Sequence, residues 1–258
     1  MREHSWDPER YLTYADERGR PFVDLLGRVE APAPRRVVDL GCGPGNLTAL
    51  LRARWPEAEV EGLDSSPEMI GRARGAGIEG VRFEVADLRS WRPAEPVDVL
   101  VSNATLQWVP GHLDLLPRLV AQVAPGGWFA FQVPGNFDQP SHALLHRLAA
   151  DDRFRGYVDG VARPAGHGPE VYQEALLDLG CTVDAWETTY LHLLRGEDPV
   201  FTWISGTGAR PVLQALPDGL RGELEAEYKQ LLRAAYPAGP HGTVLPFRRV
   251  FAVARVPA

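Results

Sequence analysis

Short apolar runs alternate with amphipathic stretches through the first half of the chain. Five of these runs contain Val or Phe, residue types that strands favour. They lie at residues 37–40, 59–64, 81–85, 97–101 and 128–133. Stretches with helical periodicity separate them, and we expect helices over 21–29 and 113–123. This half of the chain therefore predicts repeated strand–helix–strand units that form a parallel sheet.

The second half predicts two longer strands with helices between them. Residues 182–194 alternate between apolar and polar side chains, and residues 247–256 form an apolar run, so we interpret them as the sixth and seventh strands. A helix over 171–179 ends at Gly180, a residue type that commonly terminates helices. The fold class is therefore α/β, a Rossmann-like seven-stranded, mostly parallel sheet with a helical cap at 195–246 inserted before the last strand.

The composition excludes several classes of function. The 258 residues are 45% hydrophobic and carry a net charge of −7 from 27 basic and 34 acidic side chains. Such a chain can bury one sizeable core, and a general nucleic-acid-binding surface is not expected. The two cysteines do not make a disulfide framework, no metal-ligand spacing occurs, and no apolar run approaches a membrane span. Since the N-terminus is polar and lacks a signal peptide, the expected location is cytoplasmic.

The first strand ends in an acid that is followed by a glycine-rich loop. Asp39 precedes Gly41, Gly43 and Gly45, and these glycines allow a sharp turn and a close approach of the backbone to a ligand. Ligands of open α/β sheets bind at this end of the strands. A dinucleotide fingerprint needs a small residue where this chain has Asn46. The observed G-x-G-x-G after an acidic strand end resembles motif I of the class I S-adenosylmethionine-dependent methyltransferases. The resemblance implies S-adenosyl-L-methionine as the cofactor, and its sulfonium and ammonium groups suit a neighbouring acid.

Acids at the ends of the next two strands are further candidate cofactor ligands. Asp64 ends the second strand, 25 residues after Asp39, and a carboxylate there can accept hydrogen bonds from both hydroxyls of a ribose. Asp87 follows the third strand, and its carboxylate can accept a hydrogen bond from the amino group of adenine. The backbone of Leu88 is then expected to face the adenine ring. The helix start after Asp64 adds two more candidates to this set, Ser65 and Met69.

The segment after the fourth strand lies where the reactive end of the cofactor is expected. Asn103 and Gln107 cannot act as bases, but they can orient groups by hydrogen bonds. The Trp108 ring either faces the sulfonium through a cation–π contact or packs in the core. At the N-terminus, Trp6 and Tyr11 belong to an aromatic cluster that forms either a lid over the cofactor or a helix packed on the domain.

Several blocks of the chain together resemble one family over nearly the full length. They are Trp6-Asp7-Pro8 with Tyr11, Arg18 and Arg20-Pro21, and residues 39–46, 63–69, 102–108, 186–192, 201–208 and 246–249. The glycine loop alone is typical of the class I S-adenosylmethionine-dependent methyltransferases. The N-terminal and C-terminal blocks narrow the resemblance to the trans-aconitate methyltransferase family, and residues 75–77 and 151–168 are the least similar.

The resemblance implies methyl transfer from S-adenosyl-L-methionine to a carboxylate of trans-aconitate, which gives a monomethyl ester and S-adenosylhomocysteine. Because a carboxylate is already ionised at neutral pH, we expect no general base and no other catalytic side chain, only orientation and desolvation of the reactants. Arginines are expected to hold the remaining carboxylates. The candidate substrate-binding residues are Tyr11, Arg20, Gln107, Tyr190, His192, Arg210, Arg248 and Arg249.

We expect a single methyltransferase domain over residues 1–258. Its parts are an N-terminal lid or helix at 1–30, a cofactor-binding half at 31–134, the rest of the sheet at 135–194 and 247–258, and a helical substrate cap at 195–246. The expected partner is a small acidic substrate, with no nucleic acid and no membrane, and a monomer is compatible with the sequence. Two alternatives stay open: a methyltransferase of another small carboxylic acid or a secondary metabolite, and a non-catalytic protein that binds S-adenosylmethionine.

Overall fold

The structure is a computed structural model that describes residues 15–258. The candidate substrate residue Tyr11 and the part of the predicted N-terminal lid before residue 15 lie outside the described residues. The described chain contains a sheet whose strands are β1 (Arg36–Leu40), β2 (Glu59–Asp64), β3 (Val81–Val85), β4 (Val97–Asn103), β5 (Val123–Pro134), β6 (Thr182–Leu194) and β7 (Thr243–Arg255).

The strand order is β3-β2-β1-β4-β5-β7-β6. Parallel pairing joins β3 to β2, β2 to β1, β1 to β4 and β4 to β5. β7 runs antiparallel to β5, since Gly126 N donates to Val256 O at 3.2 Å while Gly135 N donates to Arg248 O at 2.9 Å. The predicted seven-stranded, mostly parallel sheet is confirmed. Its order reverses between β1 and β4, the type of position at which ligands of open α/β sheets bind.

Helices connect the strands along most of the described chain. They are α1 (Ala15–Leu26), α2 (Thr48–Arg54), α3 (Pro67–Gly75), α4 (Leu116–Val120), α5 (Pro140–Ala149), α6 (Arg155–Val158), α7 (Pro169–Leu177), α8 (Pro199–Ser205), α9 (Arg210–Ala215) and α10 (Asp218–Ala235). Ser66 is the N-cap residue of α3, and its side chain accepts a hydrogen bond from the N–H of Met69 at 3.2 Å.

The central strands are apolar on both faces because both faces are covered. Val99 and Leu100 of β4 point to opposite faces, and both are fully buried. Leu100 packs with Phe129 and Phe131 of β5 in the main core. Burying each such side chain contributes roughly 1.5–3 kcal/mol, and this holds the strand ends in place.

Two predicted helix boundaries are wrong. The first helix begins at Ala15 and has Pro21 inside it, whereas the sequence placed Pro21 at the start. Pro21 lacks one backbone donor, and the complete burial of Phe22 and Leu25 just after it outweighs that loss. The helix predicted over 113–123 is a 3-10 turn at His112–Leu115 followed by the short α4.

The predicted start of the fifth strand at residue 128 is also wrong, because residues 124–127 already lie inside β5. Gly126 has a φ of +74°, and its N–H donates to both Val256 and Pro257 of the neighbouring segment. The pairing of β4 with β5 shifts register between Val97 and Val99. The turn-like residues are therefore absorbed as an irregularity within a continuous strand.

The described chain divides into two compact units. The sheet unit comprises residues 15–133, His167–Thr188 and Arg249–Ala258. The helical unit comprises Pro134–Gly166 and Thr189–Arg248, and within it α10 packs against α5 and α8. Tyr228 of α10 is fully buried, and its hydroxyl donates to the carbonyl oxygen of Ser141 in α5. The predicted division of the chain into a lid, a cofactor half and a substrate cap stays a prediction.

Candidate functional site

The glycine loop connects β1 to α2 at the carboxyl end of the sheet. Gly41, Gly43 and Gly45 have φ values of +79°, +55° and +82°, a backbone region that favours glycine. A Cβ atom on Gly41 would lie 2.0 Å from Thr105 Oγ1, and one on Gly45 would lie 2.7 Å from the Phe83 ring. These two glycines are therefore required by the packing of the loop against the fold.

Gly43 differs from its two neighbours in what surrounds it. A Cβ atom at this position would meet nothing within 4 Å, so its α-carbon borders open space. Its N–H donates to Asp64 Oδ2 at 3.0 Å, which joins the tip of the loop to the end of β2. A backbone that is held in place and open on one side can lie directly against a ligand.

The carboxyl group of Asp39 is buried beside this loop. It is 2% exposed, and Thr48 Oγ1 donates to its Oδ2 at 2.7 Å. Burial raises the pKa of Asp39 to about 7, an effect that the Thr48 hydrogen bond opposes and the nearby Asp64 charge reinforces. A cation bound next to Asp39 would favour its ionised form, which suits the ammonium or sulfonium of S-adenosylmethionine.

Asp64 is held by backbone donors from the loops on both sides. Its Oδ1 accepts the N–H of Ser66 at 2.9 Å, and its Oδ2 accepts the N–H of Gly43 at 3.0 Å. Burial raises the pKa of Asp64, while the N–H groups of Ser66, Gly43 and Ser65 oppose the rise. Because a carboxylate offers about four acceptor sites, this one can still accept a hydroxyl of a ribose. Met69 is buried one turn into α3.

Asp87 and Leu88 follow β3 and are partly engaged by arginines. The Asp87 carboxylate accepts Arg89 Nε at 3.0 Å and Arg89 Nη2 at 2.6 Å, and this pairing lowers the pKa of Asp87. The Leu88 side chain packs against the main core, and its carbonyl oxygen accepts Arg118 Nη2 at 2.6 Å. A contact between Asp87 and adenine therefore requires the carboxylate to share its hydrogen bonds with Arg89, and it stays a prediction.

The end of β4 presents amide groups in a strained backbone. Ala104 has a φ of +53°, a conformation that costs a non-glycine residue roughly 1–2 kcal/mol. It lies between Asn103 and Gln107, which are both buried. Asn103 Oδ1 and Gln107 Oε1 find no hydrogen-bond partner within residues 15–258, whereas Gln107 Nε2 donates to Ala104 O at 2.6 Å. Trp108 is partly buried in the same 3-10 turn. Buried acceptors of this kind fit a ligand that brings N–H donors.

Four of the candidate substrate residues lie in the helical unit. Tyr190 and His192 are buried neighbours on one face of β6, with ring centroids 6.3 Å apart. His192 stacks on Trp203, with centroids 4.6 Å apart. Arg210 is buried at the start of α9, and Arg248 Nη1 donates to Gly135 O at 3.0 Å. Their predicted role in binding the substrate stays a prediction.

The other two described arginines on the candidate list lie in the sheet unit and differ in environment. The Arg20 side chain is 72% exposed on α1 and lies 4.0 Å from the Asp24 carboxylate, as a solvated surface residue does. Arg249 of β7 is 5% exposed. A guanidinium stays charged at neutral pH, so Arg249 brings a positive charge into the interior of the sheet unit.

Sequence reasoning missed Gln132 near the end of β5. Its side chain is 1% exposed, and neither its Oε1 nor its Nε2 has a hydrogen-bond partner in the described part of the chain. Leaving a buried amide unsatisfied costs about 1–3 kcal/mol. The signal in the sequence was a single polar residue in the otherwise apolar run 128–133.

Residues 15–258 contain neither a metal-ligand cluster nor a membrane-spanning helix. No group of three or more His, Cys, Asp or Glu side chains there could hold a metal ion. No helix in that range is long and apolar enough to cross a membrane. Both cysteines, Cys42 and Cys181, are buried free thiols.

A glycine loop after β1, acids at the ends of β1 and β2, and a sheet whose β7 is antiparallel define the class I S-adenosylmethionine-dependent methyltransferases. A family model described as a methyltransferase domain matches residues 11–179. The chain is 56% identical to trans-aconitate 2-methyltransferase from Streptomyces avermitilis, over 97% of this chain and 96% of that protein. It is 54% identical to the protein of the same name from Mycolicibacterium gilvum, over 97% and 99% of the two chains. The chain belongs to the trans-aconitate 2-methyltransferase family.

A solved structure with little sequence similarity has the same fold. The YcgJ protein from Bacillus subtilis is similar with a TM-score of 0.58 at 14% identity, over 94% of this chain and 99% of that chain. At this identity, the similarity concerns the fold alone.

Proposed function

We propose that this protein transfers the methyl group of S-adenosylmethionine to a carboxylate of trans-aconitate, giving the monomethyl ester and S-adenosylhomocysteine. The observation that carries the proposal is the name shared by relatives that are more than half identical over nearly their full lengths. The fold and the glycine loop support the cofactor, and the sheet unit contains a buried guanidinium that suits an acidic substrate.

The residues at the carboxyl ends of β1, β2 and β4 fit the proposed cofactor. When bound, S-adenosylmethionine supplies an electrophilic methyl group on a positively charged sulfur. Asp39 and the unpartnered Oδ1 of Asn103 can accept the ammonium group, and Asp64 can accept ribose hydroxyls. The open space at Gly43 leaves room for the ligand against the loop.

The reaction needs no proton acceptor from the protein. The nucleophile is a carboxylate oxygen, which is ionised well below neutral pH. The side chains therefore act by holding the oxygen in line with the methyl group and the sulfur, and by excluding water. Orientation of this kind supplies roughly 7–11 kcal/mol in favourable cases.

Arg249 is the proposed anchor for a carboxylate that does not react. A guanidinium binds a carboxylate through two parallel hydrogen bonds, and its burial removes competition from water. Arg249→Ala should raise the KM for trans-aconitate at least tenfold, with less than a twofold change in the Kd of S-adenosylhomocysteine. Arg35→Ala is the matched control, since the Arg35 side chain is exposed and lies just before β1, at the other end of the strand from the glycine loop. An unchanged KM in Arg249→Ala would remove Arg249 from the substrate site.

The function is tested with S-adenosylmethionine that carries a labelled methyl group. The protein should transfer the label to trans-aconitate, and mild alkali should release it as methanol, because the product is an ester. Transfer only to another small acid would replace the substrate and keep the reaction. Tight binding of the cofactor without transfer to any acid would favour a non-catalytic protein and contradict the proposal.

A further inference from the structure

Gln132 is a buried amide for which the described residues provide no hydrogen-bond partner. Both polar atoms of its side chain are unsatisfied, although its backbone carbonyl accepts the N–H of Ala104 at 2.9 Å. Buried amides in folded proteins nearly always have partners. Its location near the carboxyl end of β5, close to the end of β4, suggests that a ligand supplies at least one of these partners.

Gln132 lies on the same face of the sheet as Asn103 and Arg249. Asn103 is paired in register with Gln132, so the two side chains stand next to each other on adjacent strands about 4.8 Å apart. On the opposite face, Val250 of β7 packs in one core with Phe131 of β5. Because side chains alternate along a strand, Arg249 and Gln132 both lie on the face that this core does not occupy.

Three neighbouring strands therefore contribute one row of buried polar side chains, which we name the amide row: Asn103 of β4, Gln132 of β5 and Arg249 of β7. Asn103 is the last residue of β4, and Gln132 lies two residues before the end of β5. These parallel strands end at the edge of the sheet that carries the glycine loop. The row thus extends from the proposed cofactor site toward a buried positive charge.

We propose that Gln132 binds the substrate, with its Nε2 donating a hydrogen bond to a carboxylate that does not react. This inference rests on the proposed function and identifies part of its substrate site. In this arrangement Asn103 accepts a hydrogen bond from the ammonium group of the cofactor, and Arg249 neutralises the substrate carboxylate. Gln132, which lies between Asn103 and Arg249, fixes the orientation of that carboxylate. A reacting oxygen would be made less nucleophilic by such donors, so the amide row holds one of the other two carboxylates. Gln132 is then a determinant of specificity for a tricarboxylate.

The test replaces Gln132 by a side chain of similar length without polar atoms. Gln132→Met should raise the KM for trans-aconitate at least tenfold, leave kcat within about threefold, and leave the Kd of S-adenosylhomocysteine within twofold. The melting temperature should stay the same or rise, because an apolar side chain of similar shape replaces an unsatisfied amide. The matched control is Gln122→Met. Gln122 is also buried, but it precedes β5 at the other end of the strand, where its Nε2 donates to Trp91 O at 3.1 Å. The KM of the Gln122→Met protein for trans-aconitate should therefore not change.

Dicarboxylic acids that lack one arm of the substrate sharpen this test. Mesaconate and cis-glutaconate each retain the double bond and its geometry but lack a different carboxylate of trans-aconitate. Gln132→Met should lower kcat/KM at least tenfold for trans-aconitate and for the analogue that keeps the bound arm. For the analogue without that arm, the change should be less than threefold. If Gln132→Met does not fold, Gln132→Glu retains the shape and should raise the KM further by repelling the carboxylate.

Each result decides between a substrate role and the other roles of Gln132. An unchanged KM in a folded Gln132→Met protein would overturn the inference and leave the proposed function intact. A weaker Kd for S-adenosylhomocysteine would overturn it in favour of a cofactor contact. Absence of methyl transfer to trans-aconitate by the unmodified protein is a separate result, since it contradicts the proposed function itself.

Discussion

Replacing Asp39 by Asn tests the electrostatics of the cofactor site. Asp39 is buried, and in the ligand-free protein its pKa is raised to about 7. Between pH 6 and 7, its ionised fraction therefore increases from roughly one in eleven to one half. If the ammonium group of the cofactor needs the ionised carboxylate, the affinity should rise about fivefold over this interval, which corresponds to about 1 kcal/mol. An α-amino group with a pKa near 7.7–8.0 stays largely protonated in the same range.

The assay is titration calorimetry with S-adenosylhomocysteine at several pH values from 6 to 7. The Asp39→Asn protein should bind more weakly, and its affinity should not increase with pH. Thr48→Val removes the hydroxyl that donates to Asp39 Oδ2, so it should raise the pKa of Asp39 and move the increase in affinity to higher pH. A flat affinity in the unmodified protein, or the same increase in Asp39→Asn, would refute the reasoning.

Three further predictions concern the cofactor loop and the helical unit. Asp64→Ala should weaken S-adenosylmethionine binding at least tenfold in calorimetry, because it removes the proposed acceptor for the ribose and the observed acceptor for the N–H of Gly43. An unchanged Kd would show that Asp64 does not bind the cofactor. Gly43→Ala should lower the unfolding free energy by only about 1 kcal/mol but reduce cofactor affinity. Gly41→Ala should destabilise the fold more, because its Cβ would overlap Thr105. Equal effects of the two substitutions in thermal melts and binding would contradict this distinction. Burial lowers the pKa of His142 from 6.5 to about 4, so the unfolded state binds more protons between these values and stability should fall by about 3 kcal/mol as the pH falls from about 6.5 to 4. Urea unfolding should show a smaller loss in His142→Gln, and an identical loss would exclude His142 as its source.

The sheet could be predicted because its signals are local and repeated. Each strand of the first half is a short apolar run that ends in polar residues, and the loop after β1 contains glycines where the backbone adopts positive φ. The boundaries that failed depended on packing instead. Pro21 lies inside α1 and residues 124–127 lie inside β5, since burial and pairing with β7 outweigh the usual effects of proline and glycine.

The sequence indicates a candidate site residue only where the signal is local, as when an acid directly ends a predicted strand. Asp39 and Asp64 stand out because each directly ends a strand. Arg249 was named from the family resemblance, whereas Gln132 was missed. The register that places Gln132 and Arg249 on one face with Asn103 requires the assembled sheet. The raised pKa of Asp39 could not be predicted from the sequence either, because it depends on complete burial and on the Thr48 hydroxyl.

The most direct test of the central claim is the selectivity for trans-aconitate over its geometric isomer. Initial rates of methyl transfer should be measured with trans-aconitate and cis-aconitate at equal concentrations, with citrate and isocitrate alongside. A site that clamps two carboxylates and aligns a third should give a kcat/KM for trans-aconitate at least a hundredfold above that for each of the other acids. Equal rates for the two isomers, or no transfer to trans-aconitate, would contradict the proposed function.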